Sequence, residues 1–227
     1  MVTYYTALGR LALRTEEGKN VPIVIVSGQE YSLSIDELLI WVSLHWNFLN
    51  KEDIKNEYIK RKSDEHIFDD VSFDRTLERL KTRKLIISGS DYIASDALYN
   101  LLCELRIRPI KISLFDKIKS CIYLFMRRNI PLRECIRVYF ENNLTQNEKH
   151  VLKIADYVDI SVSELILCAD KGFKSIKSEE DLMDKLYDSP LVTTDTINTD
   201  SRFSSLKSDV LQAVTNLHLK KRIIFEI

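Results

Sequence analysis

Residues 72–94 read SFDRTLERLKTRKLIISGSDYIA, and two periodicities meet inside them. Phe73, Leu77 and Leu80 recur at helical spacing and mark one buried stripe. At about 100° per residue, that stripe sends Arg75, Glu78, Arg79 and Thr82 to the opposite, exposed face. Leu85-Ile86-Ile87 then breaks the helical period, Ser88-Gly89-Ser90-Asp91 carries turn chemistry, and Tyr92-Ile93-Ala94 reads as a returning strand. The stretch predicts a helix followed by a tight β-hairpin.

Upstream, Ser34 and Glu37 have the spacing of a capping box. Ile35, Leu38, Leu39, Val42, Trp46 and Leu49 follow at helical intervals and predict a first helix with that stripe buried. A second helix starts at Asn50, with Asp53 three residues on, and continues through Ile54, Tyr58 and Ile59. The polar stretch from Lys62 to Asp70 separates it from the third. Nearer the N-terminus, Val21 to Val26 is rich in β-branched residues after Gly18-Lys19-Asn20, which predicts a hairpin of Arg10–Leu13 with Ile23–Val26.

The order of these elements recurs. Leu33-Ser34-Ile35-Asp36-Glu37 matches Leu144-Thr145-Gln146-Asn147-Glu148 at an offset of 111, and the same offset carries Asn50…Asp53-Ile54 onto Ser161…Glu164-Leu165. By the third helix the offset is 137. There Phe73, Leu77 and Leu80 fall on Val210, Val214 and Leu217, and Arg83-Lys84-Leu85-Ile86-Ile87 falls on Lys220-Lys221-Arg222-Ile223-Ile224. The second copy thus holds an insertion of 26 residues, expected to contain an acidic helix over Ser178–Tyr187 and a polar loop over Thr193–Ser201. This copy ends after one strand and so lacks a returning wing strand of its own, unless the chain supplies one from elsewhere.

At 227 residues, with 45% hydrophobic and 30% charged residues, the composition is that of an ordinary globular chain and excludes disorder or a fibrous repeat. The 33 cations and 34 carboxylates leave a net charge of −1, so no global basic footprint points to nucleic acid. The charge is uneven, however. Residues 106–137 carry nine cations against two carboxylates, residues 202–222 five against one, whereas residues 156–200 carry four against eleven. Base therefore gathers on the two third helices and on the segment between the units.

In the second copy, burying Leu206, Val210, Ala213 and Leu217 predicts that Ser208, Gln212, Thr215 and Asn216 are exposed, beside Lys220 and Lys221. Gln and Asn pair with adenine edges, Arg with guanine edges, and hydroxyls with bases or phosphates. Arg83, Lys84, Arg106, Arg108 and Lys111 add cations for phosphate contacts.

Three short helices followed by a hairpin resemble the winged-helix transcriptional regulators of bacteria, in an arrangement with two such units in one polypeptide. The resemblance covers residues 30–94 and 144–227 and is one of pattern. It implies that the third helix enters the major groove and the wing tip touches the backbone or minor groove. Carried onto this chain, it implies Ser72, Arg75, Thr76 and Arg79 as groove residues and Ser88, Ser90 and Asp91 at the wing tip. The tip departs from the family in carrying Asp91 and no Arg or Lys.

The expected fold is mostly α with small β-hairpins (α+β), as tandem winged-helix-like units joined by a helical connector. Residues 1–96 form the first unit with its N-terminal hairpin, 97–143 a basic connector, and 144–227 the second unit with an acidic insertion near 170–203. Leu98, Leu101, Leu102 and Leu105, then Phe115, Ile118, Ile122 and Phe125, predict the connector helices, whose apolar residues could build a homodimer. The expected function is sequence-specific double-stranded DNA binding in transcription regulation. The alternatives are a winged-helix protein–protein scaffold of the chromosome-segregation or assembly type, and a plasmid-type replication initiator.

No phosphate-binding glycine loop, H-E-x-x-H or G-x-S-x-G occurs, and His45, His66, His150 and His218 lack ligand-like spacing. Asp64-Glu65-His66 with Asp69-Asp70 reads as solvated loop charge, and Trp41 and Trp46 read as core. The expectation is a non-enzyme without cofactor or metal. Cys103, Cys121, Cys135 and Cys168 show no C-x-x-C pair and read as free thiols. The N-terminus lacks a basic start followed by an apolar run, and the longest apolar runs fall far short of the roughly 18 residues of a spanning helix. A cytoplasmic location without membrane contact is expected.

Overall fold

The computed structural model describes residues 1–16, 18–66, 71–111, 144–173, 175–189 and 191–227. The first strand, β1 (Val2–Ala7), is followed by a three-stranded antiparallel meander of β2 (Arg10–Glu16), β3 (Lys19–Val26) and β4 (Gln29–Ser32). The expected hairpin is present, with Arg10 opposite Ile25 and Leu13 opposite Pro22. Between β3 and β4, Ser27 and Gly28 both take positive φ, the geometry of a two-residue turn whose twist matches its strands. Gly9 has φ +76, and a Cβ there would lie 2.1 Å from the Ile25 carbonyl oxygen, so only glycine permits this approach.

Three helices follow: α1 (Ile35–Leu44), α2 (Lys51–Asp64) and α3 (Phe73–Thr82). The Ser34–Glu37 capping box closes α1, and Asn50 caps α2. The predicted stripe of α1 is corrected by the structure. Ile40, Trp41 and Leu44 face the core together with Asp36 and Glu37, whereas Ile35 is exposed and Leu38, Leu39 and Val42 are half-buried. The helix turns this way because both carboxylates find inward partners. Tyr58 Oη donates to Asp36 at 2.5 Å, and Lys62 Nζ lies 3.2 Å from it; Glu37 takes two arginines.

The hairpin predicted after α3 does not form. A single strand, β5 (Ile86–Asp91), runs through Ser88-Gly89-Ser90, and its partner is β1, in antiparallel register from Val2 opposite Asp91 to Ala7 opposite Ile86. Ser88, Ser90 and Asp91 therefore lie along a strand and not at a wing tip. Residue Ala94 begins α4 (Ala94–Leu102) instead of ending a returning strand. The small residues serve packing: a Cβ on Gly89 would stand 2.3 Å from the Leu101 nitrogen of α4. Long-range pairing has overridden local turn chemistry.

Beyond α4, residues expected in a helical connector form β6 (Arg106–Pro109). Its Ile107 is buried between exposed Arg106 and Arg108, a period of two that belongs to a strand. Next come α5 (Gln146–Ala155), β7 (Ile160–Ser161), α6 (Val162–Asp170), α7 (Glu179–Leu186), α8 (Thr194–Phe203), α9 (Lys207–Leu219) and β8 (Ile223–Glu226). Strand β6 lies between β7 and β8 in the third sheet. The acidic helix appears as α7, but the predicted polar loop over Thr193–Ser201 is helical. Thr193 caps it through the Thr196 N–H, and Ile197 and Ser201 face inward one turn apart. The connector stripe Phe115, Ile118, Ile122 and Phe125, with Cys121 and Cys135, lies outside the described residues. Cys103 and Cys168 are free thiols.

The described residues thus form a mixed helix-and-strand structure with three small antiparallel sheets. Contacts in its two halves correspond residue by residue. Tyr5 pairs with both Leu49 and Ser88, and Ile107 pairs with both Ile160 and Phe225. Ile160 lies 111 residues after Leu49 and Phe225 lies 137 after Ser88, the two offsets of the sequence match. The Leu8 N–H donates to the Leu85 carbonyl as the Ile110 N–H donates to that of Arg222, while Lys84 and Lys221 both take positive φ. One cluster of buried side chains runs from Tyr5 to Phe225 across both halves. No helix among the described residues is long and apolar enough to cross a membrane.

Candidate nucleic-acid interface

Helix α3 buries Phe73, Leu77 and Leu80, as its spacing requires, and turns Asp74, Arg75, Glu78, Arg79 and Thr82 outward. No apolar side chain lies on that outer face. Thr76 is corrected: it is 2% exposed, with Oγ1 donating to the Ser72 carbonyl at 3.1 Å, so it faces the core and not a groove. Ser72 is exposed at the start of the helix. Thr82 is exposed, but its hydroxyl donates to the Glu78 carbonyl at 2.9 Å.

Lys81 pairs with Glu78 within α3 at 3.3 Å, and the arginines of the helix with the two cations that follow it fall into two kinds. Arg79 Nε and Arg83 Nη1 donate to the same oxygen of buried Glu37 at 2.7 and 2.8 Å, and Arg83 Nη2 reaches the Ser32 carbonyl at 2.8 Å. Burial raises the Glu37 pKa, but hydrogen bonds from the Ser34 backbone and from Arg83 and Arg79 prevail and hold it below the ordinary value. Both guanidiniums are anchored yet keep an exposed side. Arg75 and Lys84, by contrast, have no ion pair among the described residues, and both are exposed. Ser90 is tied within the β1–β5 sheet by a 2.9 Å hydroxyl contact to Thr3. Asp91 accepts from the Tyr92 N–H and faces Arg202 at 3.0 Å, so the strand end is acid-capped.

The second third helix is positioned differently. Helix α9 packs against α5 and α6, and also against α4 and α8, so its buried residues run around most of its circumference. Thr215 is therefore corrected to a core residue, 8% exposed, whose Oγ1 donates to the Leu211 and Gln212 carbonyls. Ser208 and Gln212 remain exposed and Asn216 half-exposed. Lys220 Nζ grips both oxygens of fully buried Glu148 at 2.8 Å, matching Arg83 on Glu37, while Lys221 is exposed beyond the helix.

Arg106 and Arg108 of β6 and Lys111 just beyond it are brought together, each against a carboxylate: Asp159, Glu226 and Asp156 respectively. They line an open groove of about 640 Å³ shared with Arg10 of β2, a cation that sequence reasoning did not connect with them. The histidines, read as unrelated, also converge. His45 and His218 both contact Trp46, with ring centroids 4.2 and 5.2 Å away, and burial pushes each down to about 4. Among the described residues no group of three or more His, Cys, Asp or Glu side chains could hold a metal. Compared with known proteins, the chain matches no protein-family model, no curated protein and no solved structure.

Proposed function

We propose that this chain binds double-stranded DNA through α3, as the groove-facing helix of the first of two winged-helix-like units, and acts in transcription regulation. In this reading β1, α1–α3 and β5 form one unit, and β6, α5, α6, α9 and β8 the other. Strands β1 and β6, each from earlier in the chain, stand in for the second wing strand. The corresponding contacts at offsets of 111 and 137 support the pairing of the units.

The observation that carries the reading is the outer face of α3, wholly polar, with Arg75 and Lys84 unpaired among the described residues beside anchored Arg79 and Arg83. Anchored guanidiniums lose little further rotamer freedom on meeting phosphate or guanine. The second unit contributes less to reading sequence, because α9 is occupied in packing. Its cations, with those along β6, serve phosphate neutralisation.

Fluorescence anisotropy with AT-rich duplexes at two salt concentrations tests this. Binding should weaken with salt, and Arg75→Ala with Lys84→Ala should lower affinity and reduce the salt slope by about 2. Unchanged binding by that double variant removes α3 from the interface. Absence of binding even at low salt favours a protein–protein module, which the exposed apolar residues Tyr92, Ile93 and Phe203 around the Asp91–Arg202 pair also favour.

A further inference from the structure

Strand β2 is one of the two edge strands of the β2–β3–β4 sheet, and among the described residues no strand pairs with its outer edge. Leu13 stands opposite Pro22, which has no N–H to exchange, so the two form a non-hydrogen-bonded pair. The N–H and C=O of Leu13 therefore point away from β3, as do those of Leu11 and Thr15 by alternation. Among the described residues, no backbone hydrogen bond outside the β2–β3 ladder uses these groups. Leu11 and Leu13 are 44% and 66% exposed along the same edge. Protein sheets usually guard such an edge with a lysine, a proline, a bulge or a covering segment. Here the strand RLALRTE has no lysine or proline, and Arg14 is neutralised by Glu16 and Glu30.

We propose that β2 pairs antiparallel with β2 of a second copy about a two-fold axis at Leu13, forming a six-stranded sheet across a homodimer. In this register Leu13 meets Leu13 of the second copy, Leu11 meets Thr15, Ala12 meets Arg14, and Arg10 meets Glu16. All seven residues of the strand are used, and the only ionic pair created is of opposite sign. Moving the axis to Leu11 or Thr15 keeps the outward amides in line but leaves most of the strand without a partner and separates Arg10 from Glu16. Charge and length thus select one occupant, the strand itself, in one register. Cross-strand pairs of this kind add directly to sheet stability, and an isologous contact closes without propagating.

Sedimentation velocity of the full chain over a concentration series provides the test. The expected result is a concentration-dependent dimer that Leu13→Lys abolishes, because two like charges then face each other at the axis, with far-UV circular dichroism unchanged. Arg10→Glu and Glu16→Arg should each raise the dimer Kd about tenfold, and the two together should restore it. A chain that is monomeric at every concentration overturns the proposal. So does a dimer that survives Leu13→Lys, which would place the interface elsewhere, and so does failure of the double exchange to restore pairing.

Discussion

Glu37 does two tasks with one carboxylate. It closes the capping box of α1 by accepting the Ser34 N–H at 2.8 Å, and it anchors Arg79 and Arg83 from 42 and 46 residues away. The first task is legible in the sequence, because a cap is local. The second is not, since nothing in a helix-start motif names its distant partners. Glu37→Gln keeps the shape but removes the charge that both guanidiniums meet, and should lower the free energy of unfolding by about 2 kcal/mol, read from denaturant melts. Arg75→Ala, with no partner to lose among the described residues, should stay within about 0.5 kcal/mol of the parent. Equal effects would show that the anchoring is not energetically distinct from an exposed arginine. Gly89 makes a complementary case: its turn-like neighbours disguise a packing position. Gly89→Ala should cost about 3 kcal/mol or more, because the added Cβ meets α4 backbone that cannot yield as a side chain would. A neutral result would mean that α4 can withdraw from β5.

At the scale of elements, legibility followed how locally each was determined. Helix α3 has one apolar stripe and one polar face, so its orientation could be read from period alone. In α9 apolar residues lie on several faces, and a single stripe read from period leaves Thr215 outside although the helices around α9 enclose it. Helix α8 was hidden by its Thr, Asp and Asn content, although Ile197 and Ser201 already have the spacing of a buried face. Of strand β5 only the start, Ile86-Ile87, is legible, because Ser88–Asp91 reads as a turn and the pairing with β1 that overrides it joins residues 79 to 89 positions apart. The end of α1 and the end of α9 meet through Trp46, Phe48 and His218. His218 is 1% exposed with Nε2 lacking a hydrogen-bond partner, and burial lowers its pKa to about 4. A histidine depressed in the folded state takes up its proton in the unfolded chain first. Stability should therefore be level in this respect above about pH 6.5 and fall as the pH drops from about 6.5 to about 4. The shift of His218 is expected to contribute on the order of 3 kcal/mol to that loss. His218→Phe retains a ring against Phe225 and should make this limb of the pH profile shallower, with His45, depressed in the same way, keeping the remainder. An unaltered profile would assign the acid sensitivity to other groups.

Across the whole molecule, the two halves correspond in their contacts yet share one core. The Gly9 N–H donates to the Phe225 carbonyl at 2.8 Å, and the side chain of Ser27 donates to the Ile227 carbonyl at 2.9 Å, so the β2–β4 meander is joined to β8 and the residue after it. His218 and Phe225 pack on Phe48 from the other half. A repeat read from sequence suggests two bodies on a connector, because a pattern of caps and stripes says nothing about which exposed faces then meet. The aromatic contacts predict cooperative unfolding of both halves together. Both tryptophans lie in the first half, Trp41 in its core and Trp46 against His218, so their fluorescence follows that half and its seam with the second, while far-UV circular dichroism follows helices in both. The two signals should trace one thermal transition with one midpoint. Phe225→Ala, a substitution in the second half that empties a fully buried site, should lower the unfolding free energy by roughly 3–5 kcal/mol and move both signals equally. If instead the dichroism shifts and the tryptophan transition stays in place, the halves fold as separate bodies. The proposed DNA binding by α3 would then have to be tested in a first unit that stands without the second.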